Sequence, residues 1–295
     1  MSPFTPSCPL TSDPDTLRAR AREAGYLFLP GLLEPEPLLT VRREILEICA
    51  RHHFVSREHP LDDAIAAPGV RFREGDPEYM VAYDEIQRLE SFHAVAHRPA
   101  LLGVLRTLFG EEVLVHPRNI ARVMFPQNNR FTTPAHQDYV HIQGATETWT
   151  AWFPLGDCPL ELGGLEVLAG SHRAGVLPVR AAYGAGGLGV ETEQLGLEWH
   201  GGPFACGDVL LFHSLCVHRA SDNLTPDRVR LSVDFRYQGR SCPVNDGSLL
   251  PHFQRLSWEE IYRGWRSDEF QHYWKRHELH LTDFSRRWHE SRDAG

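Results

Sequence analysis

Hydrophobic and polar residues in the first third of the chain recur with helical spacing. Asp13 or Asp15 is suited to cap a helix that would end before Gly25. The apolar run YLFLPGLL predicts a short buried strand and turn, and the pattern from Glu36 to Arg51 predicts an amphipathic helix. More residues with helical spacing follow, so residues 1–110 are predicted to be mainly helical.

The pattern changes from helices to strands near Val113. Five β-type runs are separated by clusters of Gly, Pro, Asp and Asn, which are typical of turns. The runs are VLVHPRNIARVMFP, TWTAWFPLGD, GLEVLAGSH, GPFACGDVLLFHS and VRLSVDFRYQ. Apart from a short stretch near Thr192, no helical pattern lies between them. This favours an antiparallel jelly-roll core over residues 111–240, in a fold that is mainly β with flanking helices.

Helical spacing returns in the last part of the chain, residues 241–295. Its large apolar side chains are predicted to pack on the outside of the barrel: Trp258, Ile261, Trp265, Phe270 and Trp274. No segment has the composition of a linker. Residues 1–295 are therefore predicted to form one domain with a helical C-terminal tail.

Composition restricts the partners and the location of the protein. The formal net charge is -9 and the basic residues form no stripe, so a nucleic-acid partner is not expected. No apolar run approaches the roughly 20 residues that span a bilayer, and the N-terminus lacks the pattern of a secretory signal. The 6 cysteines include no CxxC pair. We therefore expect free thiols, a cytoplasmic location and no membrane partner.

One short motif, His136-Gln137-Asp138, has the spacing of a metal site. On a strand, side chains two residues apart lie on one face about 7 Å apart, so an imidazole and a carboxylate can reach one cation. With 17 His and 39 acidic residues in 295 positions, about two such pairs are expected by chance, and one occurs. A surface pair without metal is therefore the alternative to a strand that runs into the mouth of the barrel.

A third ligand is available in FHSLCVHRASDN. His218 lies where the apolar run ends and a polar turn begins, which is where a barrel exposes side chains at its mouth. Two histidines and one carboxylate form the facial arrangement that leaves positions open on Fe(II) for a cosubstrate and O2. His213, deeper in the same strand, is the less favoured alternative.

The strand after His218 has one polar and one apolar face. Its polar residues are Arg230, Ser232, Asp234 and Arg236. If that face is the barrel interior, Arg230 can bind a carboxylate beside the metal through a bidentate contact. The alternative is an ordinary solvated outer face.

Two further features lie near the metal motif, a pair of arginines and a glycine-rich run. Arg118 and Arg122 alternate on the preceding strand, and a solvated outer face is favoured for them over the pocket. The run YGAGGLG, residues 183–189, lacks the GKS/T ending of a phosphate-binding loop. We interpret it as a lid at the barrel mouth.

Taken together, HQD, ELGGLEVLAGSH and HRASDN with an arginine on the next strand resemble the phytanoyl-CoA dioxygenase family. The resemblance covers roughly residues 20–240. It implies an Fe(II)- and 2-oxoglutarate-dependent oxygenase on a double-stranded β-helix, the cupin-like jelly-roll. Carried over to this chain, it implies that His136, Asp138 and His218 are the catalytic iron ligands, with 2-oxoglutarate and O2 as cosubstrates.

The resemblance also implies a cosubstrate site. Arg230 would bind the distal carboxylate of 2-oxoglutarate, assisted by Ser232. NLTPDRVR carries one residue more than the usual spacing, so Arg228 competes, although strand phase favours Arg230. Further candidates are Gln127, Thr133 and Trp152, the last of which either lines the pocket or fills the core.

Asp138 bears on the type of oxidation. Halogenases of this iron class carry a small residue in place of the carboxylate, so hydroxylation is favoured. The predicted function is a dioxygenase that hydroxylates a C–H bond of a small organic molecule or secondary metabolite, with release of succinate and CO2. Two alternatives remain: a non-catalytic jelly-roll protein that binds a small molecule, and a cupin-type metal-dependent isomerase or hydrolase. The sequence predicts neither the substrate nor the oligomeric state.

Overall fold

The computed structural model describes residues 1–7, 13–127 and 131–288. The helices are α1 (Pro14–Ala24), α2 (Pro35–Arg51), α3 (Pro77–Ile86), α4 (Glu90–Val95), α5 (Pro99–Phe109), α6 (Tyr139–Ile142) and α7 (Trp258–Ile261). The strands are β1 (Ser2–Pro3), β2 (Tyr26–Leu29), β3 (Val113–Val115), β4 (Ile120–Met124), β5 (Trp149–Pro154), β6 (Leu165–Leu168), β7 (Val179–Ala181), β8 (Leu188–Val190), β9 (Trp199–Gly201), β10 (Val209–His213), β11 (His218–Ala220), β12 (Arg230–Gly239), β13 (Val244–Asn245) and β14 (Leu281–Thr282). Short 3-10 turns lie between many of them.

The N-terminal helices form as predicted, with identifiable start and stop signals. The Asp13 carboxylate accepts hydrogen bonds from the first backbone N–H groups of α1, and Gly25 ends that helix with a φ of 73°. In α2, Leu38, Val41 and Ile45 are buried on one face, the spacing of an amphipathic helix. These helices share one hydrophobic core with the larger sheet.

Two sheets form the jelly-roll that was predicted for the middle of the chain. The larger sheet has the order β2-β10-β5-β12-β3, with β4 also paired to β12, and the smaller sheet has the order β1-β9-β6-β11. Apart from the parallel β1–β9 pair, the strand pairs in both are antiparallel. Trp152 and Phe212 from the larger sheet share a core with Leu165 and Val167 from the smaller one. The sheets therefore face each other.

The two faces of β12 have different environments, and this determines what the barrel contains. Its apolar residues pack under the helices, and the rings of Phe235 and Phe92 of α4 lie 5.7 Å apart. The alternate residues, Arg230, Ser232, Asp234 and Arg236, are buried on the opposite face. Because the apolar face meets the helices, the polar face is the barrel interior, as the cosubstrate hypothesis requires.

Two local predictions were wrong. His136 does not lie within a continuous strand: its backbone forms an isolated bridge with His218, and α6 begins directly after Asp138. The C-terminal tail is not mainly helical, since its described part contains one four-residue α-helix, α7, between 3-10 turns and irregular chain. The aromatic residues of that segment nevertheless pack on the outside of the barrel, where Trp258 and Trp274 share a cluster with Leu114 of β3.

No helix in the described part of the chain has both the length and the hydrophobicity needed to cross a membrane. The division into one domain with three parts stays a prediction.

Gly163 provides a test of how tightly the barrel is closed. Its φ is +79°, and an added Cβ would lie 2.5 Å from the backbone oxygen of Ser221 and 2.6 Å from that of Asp222. We expect Gly163→Ala to lower the free energy of unfolding by about 3 kcal/mol, because left-handed strain adds to the steric overlap.

Gly196→Ala is the matched control. Gly196 has a φ of +60°, and among the described residues nothing lies within 4 Å of its added Cβ. This variant should lose only about 1 kcal/mol, from backbone strain alone. Urea unfolding of both variants measures the difference, and equal losses would contradict the crowding at Gly163.

Candidate metal centre

The structure brings His136, Asp138 and His218 together. One ligand atom from each lies within 4.8 Å of the other two, and all three residues are buried. Nε2 of His136 lies 3.6 Å and Nε2 of His218 lies 3.9 Å from Oδ1 of Asp138. The backbones of the two histidines exchange two hydrogen bonds of 3.0 Å each. This bridge holds the imidazole rings side by side, with 4.1 Å between their centroids.

Hydrogen bonds to backbone carbonyls determine which ring nitrogens carry protons. Nδ1 of His136 lies 2.8 Å from the oxygen of Pro134, and Nδ1 of His218 lies 3.0 Å from the oxygen of Cys216. A carbonyl oxygen only accepts, so each Nδ1 donates and each Nε2 keeps its lone pair. The lone pairs are directed toward Asp138, which is the tautomer that a metal requires.

The carboxylate between the histidines is held in its charged form. Burial would raise the pKa of Asp138, but Arg236 and the two imidazoles outweigh burial and hold it well below the ordinary value. Burial, assisted by His136, lowers the pKa of His218 to about 3. At neutral pH the cluster therefore offers an ionised oxygen and an unprotonated nitrogen, a donor set that suits Fe(II).

Asp138 is also fixed in orientation. Its Oδ2 accepts a hydrogen bond of 2.6 Å from the Thr150 hydroxyl, and Nη2 of Arg236 lies 3.4 Å from both carboxylate oxygens. Thr150 and Arg236 face each other in the register of β5 and β12. Because Oδ2 accepts the hydrogen bond from Thr150, Oδ1 is the oxygen that faces the histidines.

The middle residue of the motif, Gln137, has a structural role that the sequence interpretation missed. It is fully buried, and its amide nitrogen donates to the oxygens of Gly175 and Leu215. Its amide oxygen accepts from the backbone N–H of Leu177. Gln137 therefore ties the ligand segment to two other parts of the chain.

A cavity of about 760 Å³ opens in front of the cluster. Its wall includes Thr133, His136 and Asp138. The glycine-rich run contributes residues 184–186 to the same wall, so it lies at the mouth of the barrel as expected. Its movement as a lid stays a prediction.

Arg118 and Arg122 also line the cavity, so the favoured outer-face interpretation was wrong. The reason is the register: β4 pairs with β12 so that Arg122 lies opposite Ser232, on the inward face. Arg122 makes 2.8 Å contacts with Glu74 and with Asp234. Its charge is therefore compensated within the protein.

The leading cosubstrate candidates lie deeper in the barrel. The Arg230 guanidinium lies 5.6 Å from the ring centroid of Trp152 and donates a hydrogen bond of 2.5 Å to the oxygen of Gly163. Nε of Arg230 and Oγ of Ser232 are buried and have no hydrogen-bond partner in the described ranges. Buried donors without partners are unusual, and a ligand carboxylate would satisfy both.

Other candidates lie elsewhere. Arg228 precedes β12 and is exposed in a surface cleft beside Asp62. Gln127 is exposed too, and its side chain accepts a hydrogen bond of 3.3 Å from Arg71. The structure therefore does not support a cosubstrate contact for either residue. His213, the alternative third ligand, lies 3.3 Å from Glu147 and outside the cluster.

Comparison with known proteins identifies the family. The sequence profile of the family described as phytanoyl-CoA dioxygenase (PhyH) matches residues 21–231. The chain belongs to the phytanoyl-CoA dioxygenase family. It is an Fe(II)- and 2-oxoglutarate-dependent oxygenase with a jelly-roll core, as the resemblance implied. The oxygenase prediction is thereby confirmed over the binding-protein and isomerase or hydrolase alternatives.

Two relatives carry the name 1-deoxypentalenic acid 11-beta-hydroxylase. The one from Streptomyces arenae is 29% identical over 267 residues, and the one from Streptomyces exfoliatus is 27% identical over 268 residues. Each alignment covers 85% of this chain and 90% of the relative.

Solved structures confirm the fold of the phytanoyl-CoA dioxygenase family. The non-heme alpha ketoglutarate dependent carbocyclase SnoK from nogalamycin biosynthesis aligns with a TM-score of 0.57 and 20% identity, over 87% of this chain and 94% of its own. The epimerase SnoN in complex with Fe3+, alpha ketoglutarate and nogalamycin RO aligns with a TM-score of 0.56 and 21% identity, over 79% and 86%.

The Thr150 hydroxyl allows a test of the metal centre that leaves the three candidate ligands in place. We expect Thr150→Val to weaken metal binding by about 10- to 100-fold, because Asp138 loses the partner that orients it. Competition with a chromophoric chelator under anaerobic conditions measures Fe(II) and Zn(II) affinity. Thr148→Val is the control, since Thr148 is equally buried but donates to the oxygen of Ala145. Equal affinities of the two variants would contradict the role of Thr150.

Proposed function

We propose that this oxygenase hydroxylates a small organic molecule and that His136, Asp138 and His218 bind its iron. The observation that carries the proposal is the buried cluster with ligand atoms within 4.8 Å of one another and both Nε2 lone pairs directed at the carboxylate. The names of the Streptomyces relatives, hydroxylases of an organic acid, support a small-molecule substrate. The retained carboxylate supports hydroxylation over halogenation.

When bound, the iron and the cosubstrate would supply the oxidation, in which O2 and 2-oxoglutarate give succinate, CO2 and one oxygen atom for a C–H bond of the substrate. The side chains bind and orient. His136, Asp138 and His218 would hold the iron, since they supply the two imidazoles and one carboxylate that suit Fe(II). Arg236 keeps Asp138 charged, and the Thr150 hydroxyl orients it. Arg230 and Ser232 bind the distal carboxylate of 2-oxoglutarate, beside Trp152, while Thr133 lies in the wall next to the metal.

We also propose that the chain forms a single oxygenase domain located in the cytoplasm. The free thiols of the described cysteines, Cys49, Cys158, Cys206, Cys216 and Cys242, support that location.

The ligand assignment is tested by anaerobic titration with Fe(II) and 2-oxoglutarate. The wild type should develop the weak visible absorption of iron(II) chelated by a keto acid, and both His136→Ala and Asp138→Ala should lose it. His141→Ala is the matched control, because its ring lies 6.0 Å from that of His136 and outside the cluster. Absorption that survives in His136→Ala or Asp138→Ala would refute the assignment. Succinate formation in air provides the second measurement.

The choice between the two arginines is tested by 2-oxoglutarate affinity. Arg230→Gln should weaken binding by about 10-fold or more, because a charge-assisted contact to the distal carboxylate is lost. Arg228→Gln should bind 2-oxoglutarate as the wild type does, because Arg228 is exposed outside the barrel. Calorimetric titration of the Zn(II)-loaded protein measures both. The assignment fails if the effects of the two variants are reversed.

A further inference from the structure

The cavity wall in front of the metal cluster has two chemically different parts. One part is apolar and comprises Ile120, Ile142, Leu250, Phe253 and Phe284. Leu250, Phe253 and Phe284 are between 37% and 41% exposed, although large apolar side chains seldom cluster at a surface without a function. The other part is polar and includes Arg118, Arg236 and Arg286, together with His116 and His252, whose pKa values burial lowers.

Among the described residues, Arg118 forms no ion pair, and Arg236 forms one only with the metal-site residue Asp138. Arg118 donates to the backbone oxygens of Gly247 and Leu250, which carry no charge. Arg236 reaches Asp138 only through two contacts of 3.4 Å, and its Nε is buried without a hydrogen-bond partner among the residues described. Arg122, by contrast, is compensated by Glu74 and Asp234.

The two guanidinium groups line the same cavity. Burial, and then the charge of Arg236, lower the pKa of Arg118 to about 10, while Asp246 opposes them. The other carboxylates of the wall, Asp246 and Asp283, are exposed at its rim. Two like charges in a largely buried cavity are costly unless an anion joins them.

His116 adds a buried polar atom to the same wall. The amide nitrogen of Gln238 donates to the oxygens of Cys242 and Pro243, so its oxygen accepts from Nε2 of His116. Nδ1 of His116 is then a buried acceptor with no partner in the described part of the chain. A hydroxyl or a protonated group of a ligand would satisfy it.

We propose that the cavity binds a substrate with an apolar carbon skeleton and one carboxylate, and that Arg118 and Arg236 bind the carboxylate. The proposal rests on the proposed function, because it needs the metal to hold Asp138. Once a divalent cation binds Asp138, that carboxylate no longer compensates Arg236. The substrate carboxylate then takes its place between the two arginines, and the apolar wall receives the carbon skeleton.

The test compares carboxylic acids with their own primary amides. Adamantane carboxylate, naphthoate and decanoate, each with its amide, are titrated calorimetrically into the full-length protein loaded with Zn(II) and 2-oxoglutarate. The wild type should bind at least one acid about 10-fold more tightly than its amide, because only the acid makes charge-assisted hydrogen bonds. Wild type that binds no acid, or that binds acids and amides equally, overturns the proposal.

Variants assign the preference to the arginines. Arg118→Gln should reduce acid affinity by about 10-fold while leaving amide affinity within about 2-fold, and Arg236→Gln should also reduce acid affinity by about 10-fold. Arg118→Lys keeps the charge and should retain part of the preference. Arg43→Gln is the control, since Arg43 is exposed on α2 and pairs with Glu47. A full acid preference in Arg118→Gln, with a thermal transition like that of the wild type, contradicts the assignment.

A separate titration distinguishes this proposal from the proposed function. Uptake of 2-oxoglutarate by the Zn(II)-loaded wild type is measured first, and its failure counts against the metal and cosubstrate site. The acid and amide pairs are then titrated into the metal-free protein, where Arg118 still faces the cavity. An acid preference that is weaker there than in the Zn(II)-loaded protein supports the carboxylate site, because Asp138 then still compensates Arg236. An acid preference that is stronger in the metal-free protein overturns it. If Arg236→Gln loses 2-oxoglutarate binding but not acid binding, Arg236 serves the cosubstrate and its place in the proposal is refuted.

Discussion

The site depends on one backbone bridge. His136 and His218 are far apart in sequence, and two hydrogen bonds of 3.0 Å between their backbones set the spacing of their imidazoles. With this spacing, Oδ1 of Asp138 lies near the Nε2 atoms of both rings. Thr150 and Arg236 contact the same carboxylate from the opposing sheet. The jelly-roll supplies this juxtaposition because its two sheets face each other across a narrow interior.

The sequence predicted most of the fold because its signals were local. Each of these signals depends on residues that are close in sequence: the caps at Asp13 and Gly25, the helical spacing in α2 and the alternation in β12. The prediction of a helical tail over residues 241–288 was wrong, because the aromatic residues there pack on the barrel from irregular chain. Over short runs, burial of such residues produces the same spacing as a helix does. Periodicity therefore cannot distinguish a helix from a buried irregular segment in residues 241–288.

In the site, the motif and the strand phase predicted the three residues that the structure brings into one cluster and the inward-facing position of Arg230, but not the position of Arg122 in the cavity wall. Whether an alternating strand shows its polar side to solvent or to the interior depends on which face the helices cover. That is a property of the whole fold, which residues 118–124 alone do not encode. The roles of Gln137 and Thr150 were missed for the same reason, since their partners are distant backbone and side-chain atoms.

The hydrogen bonds of Gln137 have a consequence for metal uptake. Its amide binds the chain at Gly175, Leu177 and Leu215, so contacts within the protein hold the segment that carries His136 and Asp138. The conformational entropy of arranging the ligands is then lost during folding and not again at metal uptake. An ion bound by His136, Asp138 and His218 would therefore be exchanged without refolding, unlike the ion of a small domain that folds only when metal binds.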